Sequence, residues 1–154
     1  MKILDILTSE ELIAPDLTGA DKTTVLRELA THLARANGAI DADRLVDVLW
    51  ERERLGSTAI GDGIAIPHGK MPGLSGVVGA FGRHPTGVDF ESLDGSPTHL
   101  FFLLVAPEDS VGQHLKALAR VSRLLKDRAF RERLLAAPDR GALFRLIREE
   151  DEKL

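Results

Sequence analysis

The chain of 154 residues contains no cysteine, so disulfides, thiolate metal sites and thiol catalysis are excluded. A reducing compartment is compatible with that absence. It also lacks a long apolar run: the longest, Leu100 to Pro107, falls far short of the roughly 20 residues that cross a bilayer. The start, Met1 to Leu7, meets an acid at Asp5 and does not read as a signal peptide. Excess positive charge is missing too. A formal net charge of −4 offers no broad field for nucleic acid or an anionic membrane, so neither is expected as a main partner. No linker, internal repeat or low-complexity block divides the sequence.

With 44% hydrophobic and 29% charged residues, the composition is that of a chain that buries a core rather than a disordered one. A second core of ordinary size needs roughly 100 further residues, so residues 1–154 are read as one soluble, cytoplasmic domain.

Helical spacing begins after Asp21, where Val25, Leu26, Leu29 and Leu33 recur until Asn37-Gly38. A second helix is predicted from Asp41, burying Leu45, Val46, Leu49 and Trp50 before Gly56. Ile64-Ala65-Ile66 reads as a short strand running into a turn at Pro67-His68, and Gly76 to Gly82 as another strand. His99 to Ala106 is apolar enough for a strand covered on both faces. Ser110 is the expected N-cap of a helix carrying Leu115, Leu118, Val121, Leu124 and Leu125 inward, and shorter helices open near Asp127 and Asp139. This order predicts an α/β sandwich in which helices flank a mixed sheet, without a glycine-rich dinucleotide turn.

The segment from Arg52 to Lys70 carries most of the chemistry. His68 stands between a residue of fixed φ, Pro67, and one without a Cβ, Gly69, so its ring is held yet approachable. A neutral imidazole is a nucleophile near pH 7 and suits attack on phosphorus. Alone, such a histidine reads more readily as one bonded to its own loop. Arg52 continues the inward stripe of Leu45 and Leu49; its guanidinium fits a phosphate, or a salt bridge to Glu53 or another acid. His114 precedes Leu118 and Val121 on a buried stripe in the first turns of its helix, where an anion is favoured and a satisfied core-edge histidine is the plain alternative. Ser57 and Thr58 offer hydroxyls, though such residues after a helix commonly form turns. His32 is read as solvated, His84 as part of a turn before Pro85, His99 as the start of the apolar strand, and Arg145 to Lys153 as a solvated helix end or frayed tail.

Gly61-Asp62-Gly63-Ile64-Ala65-Ile66-Pro67-His68-Gly69 resembles the phosphorylation-site motif of fructose/mannitol-type enzyme IIA domains of the bacterial phosphoenolpyruvate-dependent phosphotransferase system. The longer run from Arg52 to Lys70 is most similar to the nitrogen-related branch, and the resemblance extends over nearly the whole chain. It rests on the strand-Pro-His-Gly motif together with an arginine sixteen residues earlier and a histidine forty-six later.

The resemblance implies the α/β sandwich fold with a mixed sheet. It makes His68 the phosphoryl acceptor, Arg52 a contact to that group and His114 a second active-site histidine. Ser57, Thr58 and the main chain at Gly69 are expected to line the phosphate site. The implied donor is the phosphohistidine carrier HPr or its nitrogen-type counterpart, with no metal and no cofactor between carriers. A regulatory carrier acting through protein contacts is the first reading. The alternatives are a sugar-specific IIA that feeds a IIB component, a binding module that is never phosphorylated, and a hydrolase metal site built from His68 and His114 with Asp62 or Glu108.

Overall fold

Helix starts follow local chemistry closely in the computed structural model, which describes all residues from Met1 to Leu154. Helix α1 (Lys22–Ala36) opens on Asp21, whose carboxylate accepts from the Thr24 N–H, and α2 (Ala42–Arg54) on Asp41, which accepts from Arg44. Each such cap satisfies an N–H that the helix itself leaves unpaired and contributes about 1 kcal/mol. Helix α3 (Val111–Lys126) departs from the expectation. Ser110 occupies the N-cap position, but its side chain accepts no capping hydrogen bond. Helices α4 (Arg128–Ala136) and α5 (Arg140–Glu152) are capped by Asp127 and Asp139.

Six strands form one mixed sheet: β1 (Ile13–Ala14), β2 (Ala59–Gly61), β3 (Ile64–Ala65), β4 (His68–Met71), β5 (Val78–Val88) and β6 (Thr98–Pro107). Their order is β1-β5-β6-β3-β2, with β4 also paired to β6. β6 lies at the centre, antiparallel to β5 and parallel to β3 and β4. Every residue of β6 except His99 is buried, as its unbroken apolar run requires of a strand covered on both faces. Helices α1 and α2 pack together against β5 and β4, while α3 lies against β6 and α5 against β1. The sheet is thus flanked by helices, as the patterning predicts.

Three expectations are corrected. The chain does not turn at His68. Ile64 and Ala65 pair with Leu100 and Phe101, and His68 to Met71 pair with Leu104 to Pro107, so one register continues past Pro67. Proline has no N–H to give that ladder, but its carbonyl still accepts from Leu104 at 3.0 Å. His84 is likewise in a strand rather than a turn: it is buried in β5, with Nε2 2.8 Å from the Gly19 carbonyl. Pro85 is tolerated there because the β5–β6 register shifts between Arg83 and Val88. Finally, of the two readings of Arg145 to Lys153, the helix end with exposed charges holds and the frayed tail does not. Asp151 is buried and bonded to Arg120, at 2.9 Å from Nη2 and 3.1 Å from Nε, which anchors the last turn of α5 to α3.

Candidate functional site

His68 opens β4 directly after the proline, and its side chain folds back so that Nδ1 lies 2.8 Å from the Ile66 carbonyl oxygen. A carbonyl can only accept, so Nδ1 carries the proton and Nε2 keeps a free lone pair. Burial holds the His68 pKa below its ordinary value, and the nearby Arg52 charge pushes the same way against opposing effects of Ile66 and Glu53. The ring is therefore neutral at pH 7.

The next residue explains how the helix comes so near. A Cβ on Gly69 would lie 2.5 Å from Val48 Cγ1, so only glycine lets α2 press onto β4 at this point. That packing brings the end of α2 beside His68. Arg52, Arg54 and Leu55 line a cavity of about 660 Å³ together with His68, Lys70 and His114. Glu51 is the one carboxylate of the lining, against three fixed cations. In a protein of net charge −4, this is a local excess of positive charge.

His114, in the first turn of α3, completes the cavity. Its ring stands edge-on to that of His68, with centroids 5.3 Å apart and planes at 87°. The side chain is buried, and Nε2 has neither solvent nor a hydrogen-bond partner within the protein. Burial lowers its pKa first, followed by the repulsion a protonated His68 would exert and by the charge of Lys70. A second, smaller hollow joins His68 and Lys70 to Val111, Leu115 and Leu118 of α3. Leu115 was expected inside, yet it is 62% exposed, as Val111 is at 54% and Leu55 at 84%. These side chains give the cavity an apolar rim.

Arg52 is half-buried rather than core-facing, and Nη1 donates to the Gly56 carbonyl at 2.9 Å. It makes no salt bridge to Glu53. The core position of that turn belongs to Glu53 itself, which sequence reasoning missed. Its carboxylate lies 2.9 Å from Lys22 Nζ and accepts from both the main-chain N–H and the hydroxyl of Thr58. Its position one turn beyond Leu49 was a usable signal, but Arg52 was assigned to that stripe instead.

The structure does not bring Ser57 or Thr58 into the cavity. The Ser57 hydroxyl donates to the Phe90 carbonyl at 2.8 Å and accepts from the Ala59 N–H, while that of Thr58 is buried against Glu53. Both hold the turn after α2. A metal centre also lacks its ligands, since no carboxylate or third histidine joins His68 and His114 in a cluster. Asp62 sits in a turn instead, at φ 58°, its N–H bonded to Asp94.

Residues 6–150 match the family model described as "Phosphoenolpyruvate-dependent sugar phosphotransferase system, EIIA 2". The chain belongs to this family. It is a phosphotransferase component that carries a phosphoryl group, and no helix in it is long and apolar enough to cross a membrane. A nitrogen regulatory protein of Bradyrhizobium diazoefficiens is 44% identical over 96% of the chain and 95% of its own length. The fructose-specific EIIABC component of Bacillus subtilis is 39% identical over 98% of the chain, which spans 24% of that longer protein. Among solved structures, the nitrogen regulatory protein IIA-Ntr of Neisseria meningitidis superposes with a TM-score of 0.84 at 30% identity, covering 90% of this EIIA chain and 94% of its own. The mannitol IIA of Escherichia coli, at 24% identity and a TM-score of 0.75 over 90% of this chain and 97% of its own, shares the fold.

Proposed function

We propose that this EIIA protein is a nitrogen-related regulatory phosphocarrier of the cytoplasm that accepts a phosphoryl group on Nε2 of His68 from an HPr-like phosphohistidine protein. The observation that carries the reading is the Nδ1 contact to Ile66, which leaves Nε2 as the only free nitrogen of a neutral ring facing a cationic cavity. In transfer, Nε2 attacks phosphorus in line, the bond from phosphorus to the donor's imidazole nitrogen breaks, and that nitrogen recovers the electron pair. The proton on Nδ1 stays, held by Ile66, so the phosphorylated ring is formally an imidazolium; the donor's imidazole departs neutral because its own second nitrogen carries a proton in the same way.

The incoming group brings roughly −1.5 to −2 charges, as other phosphorylated side chains do. Arg52 exchanges its Gly56 carbonyl for phosphoryl oxygens, Lys70 and Arg54 add charge, and the unpartnered Nε2 of His114 gains a partner. Gly69 contributes by keeping α2 close. The exposed Leu55, Val111 and Leu115 offer apolar contact to the partner protein.

The regulatory branch is favoured by the 44% identity to a nitrogen regulatory protein of nearly the same length. The test is incubation with phosphoenolpyruvate, enzyme I and either a nitrogen-type or a sugar-type HPr, followed by mass mapping. One acid-labile phosphate on the His68 peptide, gained faster from the nitrogen-type donor and absent in His68→Ala, is expected. Phosphate on another residue would remove His68 from this role. Preference for the sugar-type donor, with onward transfer to a IIB component, would move the protein to the sugar branch.

A further inference from the structure

A second groove, of about 630 Å³, lies between α1, the chain after β1 and the start of α5. It borders β1, at the opposite edge of the sheet from β3 and β2, and β5 and β6 separate it from β4. It shares no lining residue with the His68 cavity.

Its charge is again the reverse of the molecule's. Arg27, Arg35 and Arg140 face two acids, Asp16 and Glu28. Glu28 is already engaged, accepting from the N–H groups of Thr18 and Gly19 and from the Thr18 hydroxyl. Arg27 meets the exposed Asp43 at 2.8 Å, a pair weakened by solvent. Arg35 has no ion pair, and Arg140 donates only through Nε, to the Ile13 carbonyl at 3.0 Å, so its terminal nitrogens are free.

His32, expected to be solvated, is half-buried beside these two arginines, close enough that both push its pKa down after the larger effect of burial. The ring lies against the Glu11 and Ile13 carbonyls, yet Nε2 is sealed from solvent and makes no hydrogen bond. Two guanidiniums with free terminal nitrogens therefore border one open volume, with the His32 ring in its wall.

We propose that this groove binds a small organic anion carrying a phosphoryl group or several carboxylates, clamped by the forks of Arg35 and Arg140 and contacted by His32. Guanidinium geometry matches both kinds of oxyanion, and the volume admits a metabolite-sized molecule. Bound there, the anion would be an effector site separate from phosphoryl transfer.

Calorimetric titration at low ionic strength with pyrophosphate and with citrate tests this, with glycerol as the neutral control. Saturable single-site binding of at least one anion is expected, and it should persist in His68→Ala, which separates it from the phosphotransfer cavity. Arg35→Ala should weaken it about tenfold or more, as loss of a charged hydrogen bond does, and the Arg35→Ala/Arg140→Ala variant should abolish it. Response to pyrophosphate alone assigns a phosphoryl ligand, and to citrate alone a carboxylate. Because Arg140 also ties down Ile13, Arg35→Glu serves as a second variant if the double substitution unfolds. No saturable heat from either anion, or binding unchanged by the arginine substitutions, would overturn the proposal.

Discussion

Lys22, at the start of α1, reaches Glu53, near the end of α2, with Nζ 2.9 Å from the carboxylate and the glutamate side chain wholly buried. The ammonium also lies 4.8 Å from the Phe90 ring centroid. Removing one partner of a buried pair leaves the other charge uncompensated, which costs about 3–5 kcal/mol. Lys22→Met is therefore expected to lower the urea midpoint strongly. Glu53→Gln should cost less, because Lys22 keeps Glu91 at 3.3 Å as a partner and the amide oxygen can still accept from Thr58. Equal stability of Lys22→Met and wild type would show that Thr58 alone satisfies Glu53.

Protonation of His68 would consume the lone pair that the proposed transfer needs. Because burial and Arg52 hold its pKa below the ordinary 6.5, the neutral ring persists below that pH. The phosphorylation rate should accordingly stay level as pH falls through 6.5 and decline only in more acidic solution. Stability follows the same sign. The unfolded chain binds the proton more readily, so the folded state loses stability as pH drops from about 6.5 through the depressed value. NMR titration of the ring checks both, and Arg52→Ala should move the pKa upward by removing a repelling charge.

Arg52→Ala should also slow phosphoryl acceptance by about tenfold to a hundredfold, the usual worth of a charge-assisted hydrogen bond. Its half-buried side chain and single bond to Gly56 give little stability, so the melting temperature should change little. Arg52→Lys keeps the charge but loses the two-pronged fork and should recover the rate only in part. A stopped-flow rate at the wild-type level together with a lowered melting temperature would make Arg52 structural.

Ser57→Ala separates turn-holding from catalysis. The hydroxyl bridges Phe90 and Ala59 rather than facing the cavity, so its loss should cost about 1–2 kcal/mol of stability. Transfer rates measured well below the unfolding transition should stay within about twofold of wild type, a change of under 0.5 kcal/mol in the barrier. A large rate defect in a fully folded variant would return Ser57 to the phosphate site.

Features set within a few residues were legible before any coordinates. Asp21, Asp41, Asp127 and Asp139 all cap helices, and the apolar run ending at Pro107 is the central strand. Convergence of His68, Arg52 and His114 on one cavity was expected from the family motif rather than from spacing. What escaped was decided by distant partners. Pairing with Leu104 keeps His68 in a strand, the Gly19 carbonyl draws His84 inside, and Lys22 makes the burial of Glu53 tolerable. Thr58 shows the same limit, since its hydroxyl is taken by the glutamate five residues earlier, whose burial depends on Lys22 from another helix.

The unbroken register through Pro67 bears on how such a carrier can be read by others. A histidine stitched to the middle strand of a sheet has no loop to reshape when it acquires a new group, because the backbone beneath it is already committed to Leu104 and its neighbours. In the proposed role the free and phosphorylated states would differ in local potential far more than in outline, so a partner that tells them apart would sense electrostatics at the mouth of the cavity.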